Sequence, residues 1–282
     1  MPEATPEATP EAAPEAAAEA RARPAVSVIA HVSDTHIDTS PEDAGRSEAR
    51  TRAVMDYLNG LPYDLDAILV TGDIADHGTP SEYEAARKLL ATRHPLLTCP
   101  GNHDVRPAYR EHLLGEPPSP APVNQSHVTD RFLLALCDTS VPGKPHGTLE
   151  EETLSWLSDT LTRAPDVPAL IAFHHPPVPL HTPYVDEIRQ FDEARLAELT
   201  ARHPNVTAFL AGHAHTSAAT TFASRPLLVA PGVISTLRLP WEPRTHASHH
   251  VHRDLPPAVA FHVLDEGGRL TTHYRTVPLP SP

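Results

Sequence analysis

Short apolar runs recur along the chain, each closed off by polar or turn-forming residues: Val26–Val32, Ala67–Val70, Pro95–Cys99, Phe132–Cys137, Ala169–Phe173 and Val206–Leu210. Runs of this length and composition read as buried strands. The intervals between them carry a different period. Ala49, Ala53, Val54, Tyr57 and Leu58 fall at helical spacing between Glu48 and Leu58, and Asn59-Gly60 ends that helix. Pro80 and Ser81 open a second helix through about residue 91, with Tyr83, Ala86, Leu89 and Leu90 on its inner face. Further helices are predicted from about Leu149 to Thr162 and from Glu187 to Ala201. Strand, helix, strand, helix at these intervals implies crossover connections and an α/β sheet. The remainder is β-rich, with runs at Leu227–Ala230, Val259–Leu264 and Leu270–Val277.

The residues just past the apolar runs are more informative than the runs themselves. The first run leads into Asp34-Thr35-His36, the second into Gly72-Asp73, and the third into Gly101-Asn102-His103-Asp104. Two later runs lead into His174-His175 and Gly212-His213-Ala214-His215. Any one of these could be an ordinary turn. Together they place Asp, Asn or His just past five buried strands, and in open α/β sheets ligands bind at those carboxyl ends. Residues two apart on an extended chain share a side, so Asp34 and His36 can grip one ion, whereas His213 and His215 can serve one ion or two. Of the adjacent pair, His174 is read as facing inward, held at a fixed angle by Pro176-Pro177. Asp76 lies close enough to support the site; Asp138-Thr139-Ser140 read as packing groups. Carboxylate, amide oxygen and imidazole without thiolate suit Mn, Fe, Zn or Co. Seven donors with one bridging carboxylate, Asp73, would serve two ions ~3.5–4 Å apart.

Composition narrows the function classes. The chain has 282 residues and a formal charge of −14, a poor match for a nucleic acid polymer, whose binding needs basic surface. Metal ions would let so acidic a protein bind a small anion. No continuous apolar stretch is long enough to span a bilayer, and the N-terminus has neither the basic start nor the apolar core of a signal peptide, so a cytoplasmic location is expected. Residues 1–24, built on Pro-Glu-Ala-Thr repeats, read as a disordered tail ahead of one domain over 25–282. Cys99 and Cys137 lie in apolar runs and read as buried free thiols. His146, and the cluster of His246, His249, His250 and His252 near Trp241 and Arg244, read as solvated loop residues, the cluster at the substrate rim.

The ordered set Asp34-x-His36, Gly72-Asp73, Gly101-Asn102-His103-Asp104, His174 and Gly212-His213-x-His215 resembles the signature of the calcineurin-like metallophosphoesterases, over residues 26 to about 230. The resemblance implies an α/β fold in which two mixed β-sheets pack as a sandwich flanked by helices, a four-layer arrangement. It implies two divalent or trivalent ions, with Asp34, His36 and His215 on the first, Asn102, His174 and His213 on the second, and Asp73 between them. Within that superfamily, Asn102-His103-Asp104-Val105-Arg106, Asp138-Thr139-Ser140-Val141-Pro142-Gly143 and His174-His175-Pro176-Pro177 look like the bacterial class III cyclic-nucleotide phosphodiesterases.

The activity so implied is hydrolysis of a small anionic phosphodiester, foremost 3′,5′-cyclic AMP to 5′-AMP, by in-line attack of a hydroxide bridging the ions. His103 would protonate the leaving oxygen, Asn102 would help hold the phosphate, and Asp104 would orient His103. A broader phosphodiesterase or phosphomonoesterase, acting for example on glycerophosphodiesters, is the alternative. A non-catalytic scaffold of the same fold is disfavoured, because such proteins lose ligands and all are present here. A homodimer is an open option for the assembly.

Overall fold

A computed structural model describes residues 26–43, 45–243 and 250–279; the tail read at 1–24, and Arg244, His246 and His249, lie outside the described residues. The chain forms β1 (Val26–Val32), α1 (Arg46–Asn59), β2 (Ala67–Thr71), α2 (Pro80–Leu89) and β3 (Leu96–Cys99). A short helix α3 (Arg106–Ala108) continues as a wider π-helical turn over Tyr109–Leu114. Then come β4 (Gln125–Val128), β5 (Leu133–Cys137), α4 (Glu151–Arg163), β6 (Ala169–Phe173), α5 (Pro183–Asp186), α6 (Glu193–Arg202) and β7 (Val206–Ala211). The chain closes with β8 (Ala218–Phe222), β9 (Arg225–Val229), β10 (Thr236–Leu237), β11 (Val251–His252), β12 (Ala258–Asp265) and β13 (Leu270–Thr276).

Two mixed sheets result, one in the order β13-β12-β1-β2-β3 and the other β4-β5-β6-β7-β9-β8. Alternation along each strand decides which layer a side chain enters. Ile29, Leu69 and Leu97 of the first sheet meet Leu134, Leu170 and Leu210 of the second in the layer between them. The opposite face of the first sheet, with Ala30, Val32, Ile68 and Val70, packs on Val54, Met55, Leu58, Tyr83 and Ala86 of α1 and α2. The outer face of the second packs on Leu154, Leu157 and Leu161 of α4 and Leu196 and Leu199 of α6. Helix, sheet, sheet, helix is the four-layer sandwich expected. Each fully buried leucine contributes ~1.5–3 kcal/mol, so no single contact holds the layers together.

Local chemistry fixes the element ends. Pro80 occupies the first turn of α2, where its missing N–H costs nothing, and Thr79 and Glu82 form a reciprocal capping box. One predicted helix is shorter than its pattern suggests. Residues 187–192 are not helical: Gly147 N donates to Arg189 O and Phe191 N donates to Gly147 O, so this stretch pairs with the Gly147 loop and α6 starts only at Glu193. Strands β4 and β8 were not anticipated, because Gln125–Val128 and Ala218–Phe222 are half polar and lie at the sheet edges.

The topology sends the chemistry to one end. β1, β2 and β3 run parallel, as do β5, β6, β7 and β9, so the segments after them leave in common directions. The segments are stitched together there: Val233 N donates to Ser33 O, Ile234 N to Asp34 O, and Asp34 N to Gly72 O.

Candidate metal centre

Three strands of the crevice, β1, β2 and β7, end in sharp turns that carry their polar side chains to the crevice. Asp34, His36, Asp73, His213 and His215 all have positive φ, between 41° and 67°. Non-glycine residues in this region cost of order 1–3 kcal/mol each, so strain is concentrated on five of the seven candidate ligands. Gly72 supplies the close approach before Asp73: at φ 79°, a Cβ there would lie 2.4 Å from His174 Nδ1.

The side chains so aimed converge. Asp34, His36 and His215 bring ligand atoms within 4.8 Å of one another, as do Asp34, Asp73 and His174. One oxygen of Asp73, Oδ2, lies 3.5 Å from His36 Nε2 and 3.3 Å from His174 Nε2. His215 Nε2 is 3.4 Å from Asp34 Oδ1, and His213 Nδ1 is 3.1 Å from His174 Nε2. Asp73 therefore faces both groups, the position its reading as a shared ligand requires. Within this constellation, Asp34 Oδ1, His36 Nε2, Asn102 Oδ1 and His213 Nε2 are buried without a hydrogen-bond partner. Orphaned buried polar atoms are rare and costly in native proteins. Four acceptor-type atoms turned into one crevice fit cations as their missing partners.

The opposite nitrogens are fixed by the surrounding chain, as metal-binding histidines require. His36 Nδ1 donates to Asp76 Oδ1 at 2.7 Å, His174 Nδ1 to Thr71 O at 2.8 Å, and His215 Nδ1 pairs with Ser235 Oγ at 2.9 Å. The electrostatics agree. Burial alone would push His174 down, but the Asp73 carboxylate outweighs it and raises the imidazole to about 9. Burial likewise opposes protonation of His36, yet Asp76 and Asp73 raise it. Burial disfavours ionised Asp73, but His174 and His36 hold it well below the usual carboxylate range. Around Asp73, then, positive charge is favoured; His213 and His215 are shifted the other way, burial holding His213 well below the ordinary imidazole value and lowering His215.

Other candidates are engaged differently. His175 is fully buried beside His174 and His213, within reach of an ion shared with them, but Thr139 Oγ1 meets its Nδ1 at 2.9 Å and Pro145 O its Nε2 at 3.2 Å, so both ring nitrogens already have partners. His146 packs edge-on against Phe191. The expectation that Asp104 orients His103 needs correction. Its carboxylate accepts from the backbone N–H groups of Ile74, Ala75 and Gly101 and from the Tyr83 hydroxyl, tying the turns after β2 and β3 together. His103 is oriented instead by the Asp76 carbonyl, which accepts from its Nδ1 at 2.7 Å. Ser235 and the Thr71 carbonyl were not anticipated; a lone serine after an irregular loop and a backbone oxygen leave no mark in sequence. Asp138 closes a buried ion pair with Arg106 at 2.8 Å, in keeping with its reading as a packing group.

Beside His36 and His215 a cavity of about 270 Å³ opens outward, lined in addition by Asp38, Glu42, Asp43, Asp76, Arg46 and Arg253. No helix among the described residues is long and apolar enough to cross a membrane.

Comparison with known proteins identifies the family. The family described as calcineurin-like phosphoesterase matches residues 27–217. A glycerophosphodiester phosphodiesterase of Enterobacter lignolyticus, GpdQ, is 32% identical over 83% of this chain and 86% of its own. A cAMP/cGMP dual specificity phosphodiesterase of Mycobacterium tuberculosis is 36% identical over 74% and 68% respectively. The cyclic AMP phosphodiesterase CpdA of Escherichia coli is 29% identical over 86% and 87%. Among solved structures, a dimetal phosphatase from Danio rerio superposes with a TM-score of 0.56 at 16% identity, covering 89% of this chain and 99% of that one, which shows the fold alone. A family match that runs from the first strand through the last histidine of the crevice leaves one conclusion: the chain belongs to the calcineurin-like phosphoesterases and is a metal-dependent phosphoesterase.

Proposed function

We propose that the protein hydrolyses small phosphodiesters at a two-cation centre, with 3′,5′-cyclic AMP, converted to 5′-AMP, as the foremost substrate. The observation that carries the centre is the set of four buried acceptor-type atoms, on Asp34, His36, Asn102 and His213, that have no hydrogen-bond partner among the described residues. Asp34, His36 and His215 would hold one cation and Asn102, His174 and His213 the other, with Asp73 available to both. Bound there, Mn, Fe, Zn or Co ions would neutralise the phosphoryl oxygens and acidify the attacking water.

The protein's own groups do the rest. The Asn102 amide helps hold the phosphate. Asp73 Oδ1 accepts from His103 N at 2.9 Å, so the shared carboxylate also seats the turn that carries His103. With Nδ1 committed to the Asp76 carbonyl, His103 keeps Nε2 as the nitrogen able to pass a proton to the departing oxygen, and its side chain is 40% exposed at the crevice edge. Asp104 acts on this step only by holding the turns.

A glycerophosphodiester is the second reading, and the cavity beside His36 and His215 favours it. Among the described residues its lining carries four carboxylates and two arginines but no Phe, Tyr or Trp on which a base could stack. Cyclic AMP, an aryl diester, an aryl monoester and glycerophosphocholine, compared on metal-analysed protein, test both readings. Cyclic AMP should be turned over fastest; a tenfold preference for glycerophosphocholine would replace the first reading with the second. His103→Ala should slow cyclic AMP hydrolysis by ~10²–10⁴-fold and aryl-diester hydrolysis much less, since a good leaving group needs no proton. Wild-type turnover of cyclic AMP by that variant would remove His103 from the reaction.

A further inference from the structure

The layer between the two sheets is largely apolar, and one polar thread crosses it. His31 and His262, both fully buried, stand there on the neighbouring strands β1 and β12, 231 positions apart in sequence. His31 Nδ1 and His262 Nε2 lie 3.0 Å apart; His31 Nε2 meets Thr71 Oγ1 at 2.8 Å, and His262 Nδ1 meets Thr272 Oγ1 at 2.8 Å. Thr71 Oγ1 donates to Ser33 Oγ at 3.0 Å, and Ser33 Oγ donates to the Thr71 carbonyl at 2.9 Å. That same carbonyl accepts from His174 Nδ1.

Proton counting gives the thread one direction. A hydroxyl has a single proton. The Ser33 proton goes to the Thr71 carbonyl, so the Thr71 proton must go to Ser33; otherwise two oxygens 3.0 Å apart would face each other with none between them. Thr71 Oγ1 can then only accept from His31, which therefore carries its proton on Nε2. His31 Nδ1 accepts from His262 Nε2–H, and His262 Nδ1 accepts from Thr272. Both rings are neutral in this arrangement. Burial acts the same way, lowering His31 well below its ordinary value and His262 to about 3. Packing does not explain the pair, because two aliphatic side chains would fill an apolar layer without the cost of burying polar groups. The node is also built tightly: a Cβ on Gly212, at the start of the Gly212-His213-Ala214-His215 turn, would sit 1.9 Å from Ser33 Oγ.

We propose that His31 and His262 are positioning residues of the metal centre: through Thr71 and Ser33 they pin the Thr71 carbonyl, hold His174 in its Nδ1–H tautomer and so keep Nε2 for the cation. The inference rests on His174 being a ligand. Its effect is felt at the half of the centre that contains His174 and leaves the half containing His36 and His215 alone.

Two measurements test it. Long-range proton–nitrogen correlation of histidine-labelled, metal-free wild-type protein at neutral pH should find His31 and His262 neutral with the proton on Nε2. A proton on Nδ1 of His31, or a charged ring, overturns the proposal whatever any variant does. Chelator competition with Zn²⁺ should then show His31→Leu weakened about tenfold or more at one of two sites. His31→Gln, which retains a donor and an acceptor, should recover most of that loss, which a mere packing defect would not. Unchanged affinity at both sites in a folded His31→Leu protein overturns the proposal. His174→Ala should lose one cation outright; if it kept both, the ligand reading would fail instead. Should His31→Leu not fold, the wild-type tautomers decide.

Discussion

The two halves of the proposed centre are backed in different ways. His36 and His215 stand next to the outer cavity and are supported by side chains, the Asp76 carboxylate and the Ser235 hydroxyl. His174 is fully buried and supported by main chain, the Thr71 carbonyl, behind which lies the thread of His31 and His262. The outer half borders the cavity and has a charge at its back. In the inner half His174 and His213 are buried, and His174 is held by the sheet's own main chain. The difference predicts which half each substitution should damage.

Asp73→Asn should have the largest effect, because its Oδ2 faces both halves. The variant should bind fewer cations per chain than wild type, and its activity should fall further than that of any variant confined to one half; elemental analysis and turnover check this. If both cations stayed bound, Asp73 would not be shared. Asp76→Asn comes next. Loss of the carboxylate behind His36 should weaken the outer cation by ~10–100-fold while the inner one keeps its affinity, as read by two-site chelator titration. Equal loss at both sites would erase the contrast between charged and main-chain backing.

Much of this arrangement is legible in the order of residues. Asp34, Asp73, Asn102 and His174 each come directly or within a few positions after an apolar run, and a parallel sheet brings such ends together whatever the details of packing. The parts that escape depend on contacts that spacing does not encode. His262 reads as one more position of the strand Val259–Leu264, and nothing local says that it meets His31 across the sheet. Asp104, adjacent to His103, invites pairing with that ring because the two are sequence neighbours; the turn instead sends its carboxylate back to three amides and a tyrosine. The stretch 187–192 has helical spacing but pairs with the Gly147 loop, a tertiary contact that overrides propensity.

The thread behind the inner half makes the fold sensitive to acid. His262 sits at about 3 in the folded protein, against ~6.5 for a free histidine, so below pH 6.5 the unfolded chain binds more protons than the folded one. Stability contributed by the neutral ring is complete above that pH and declines as pH falls toward 3. The loss is about 1.4 kcal/mol per pH unit, or about 2 kcal/mol by pH 5. Denaturant unfolding of wild type and His262→Gln at pH 7 and 5 should show a shallower decline in the variant. Parallel declines would mean that His262 is not buried neutral.

Ser235→Ala should have the smallest effect, and it sharpens the contrast most. Ser235 and Asp76 both stand behind histidines of the outer half, at 2.9 and 2.7 Å, but only Asp76 brings a charge. A charged hydrogen-bond partner is worth roughly twice a neutral one. If charge is what tunes the outer cation, removing the Ser235 hydroxyl should cost about tenfold in its affinity or less, the low end for such backing groups. Ser235 also lines the cavity, so an effect on KM without one on metal affinity would assign the hydroxyl to substrate instead. A loss as large as that of Asp76→Asn would mean that ring orientation, and not charge, is what the outer half requires, and the two halves would then be backed by the same physics.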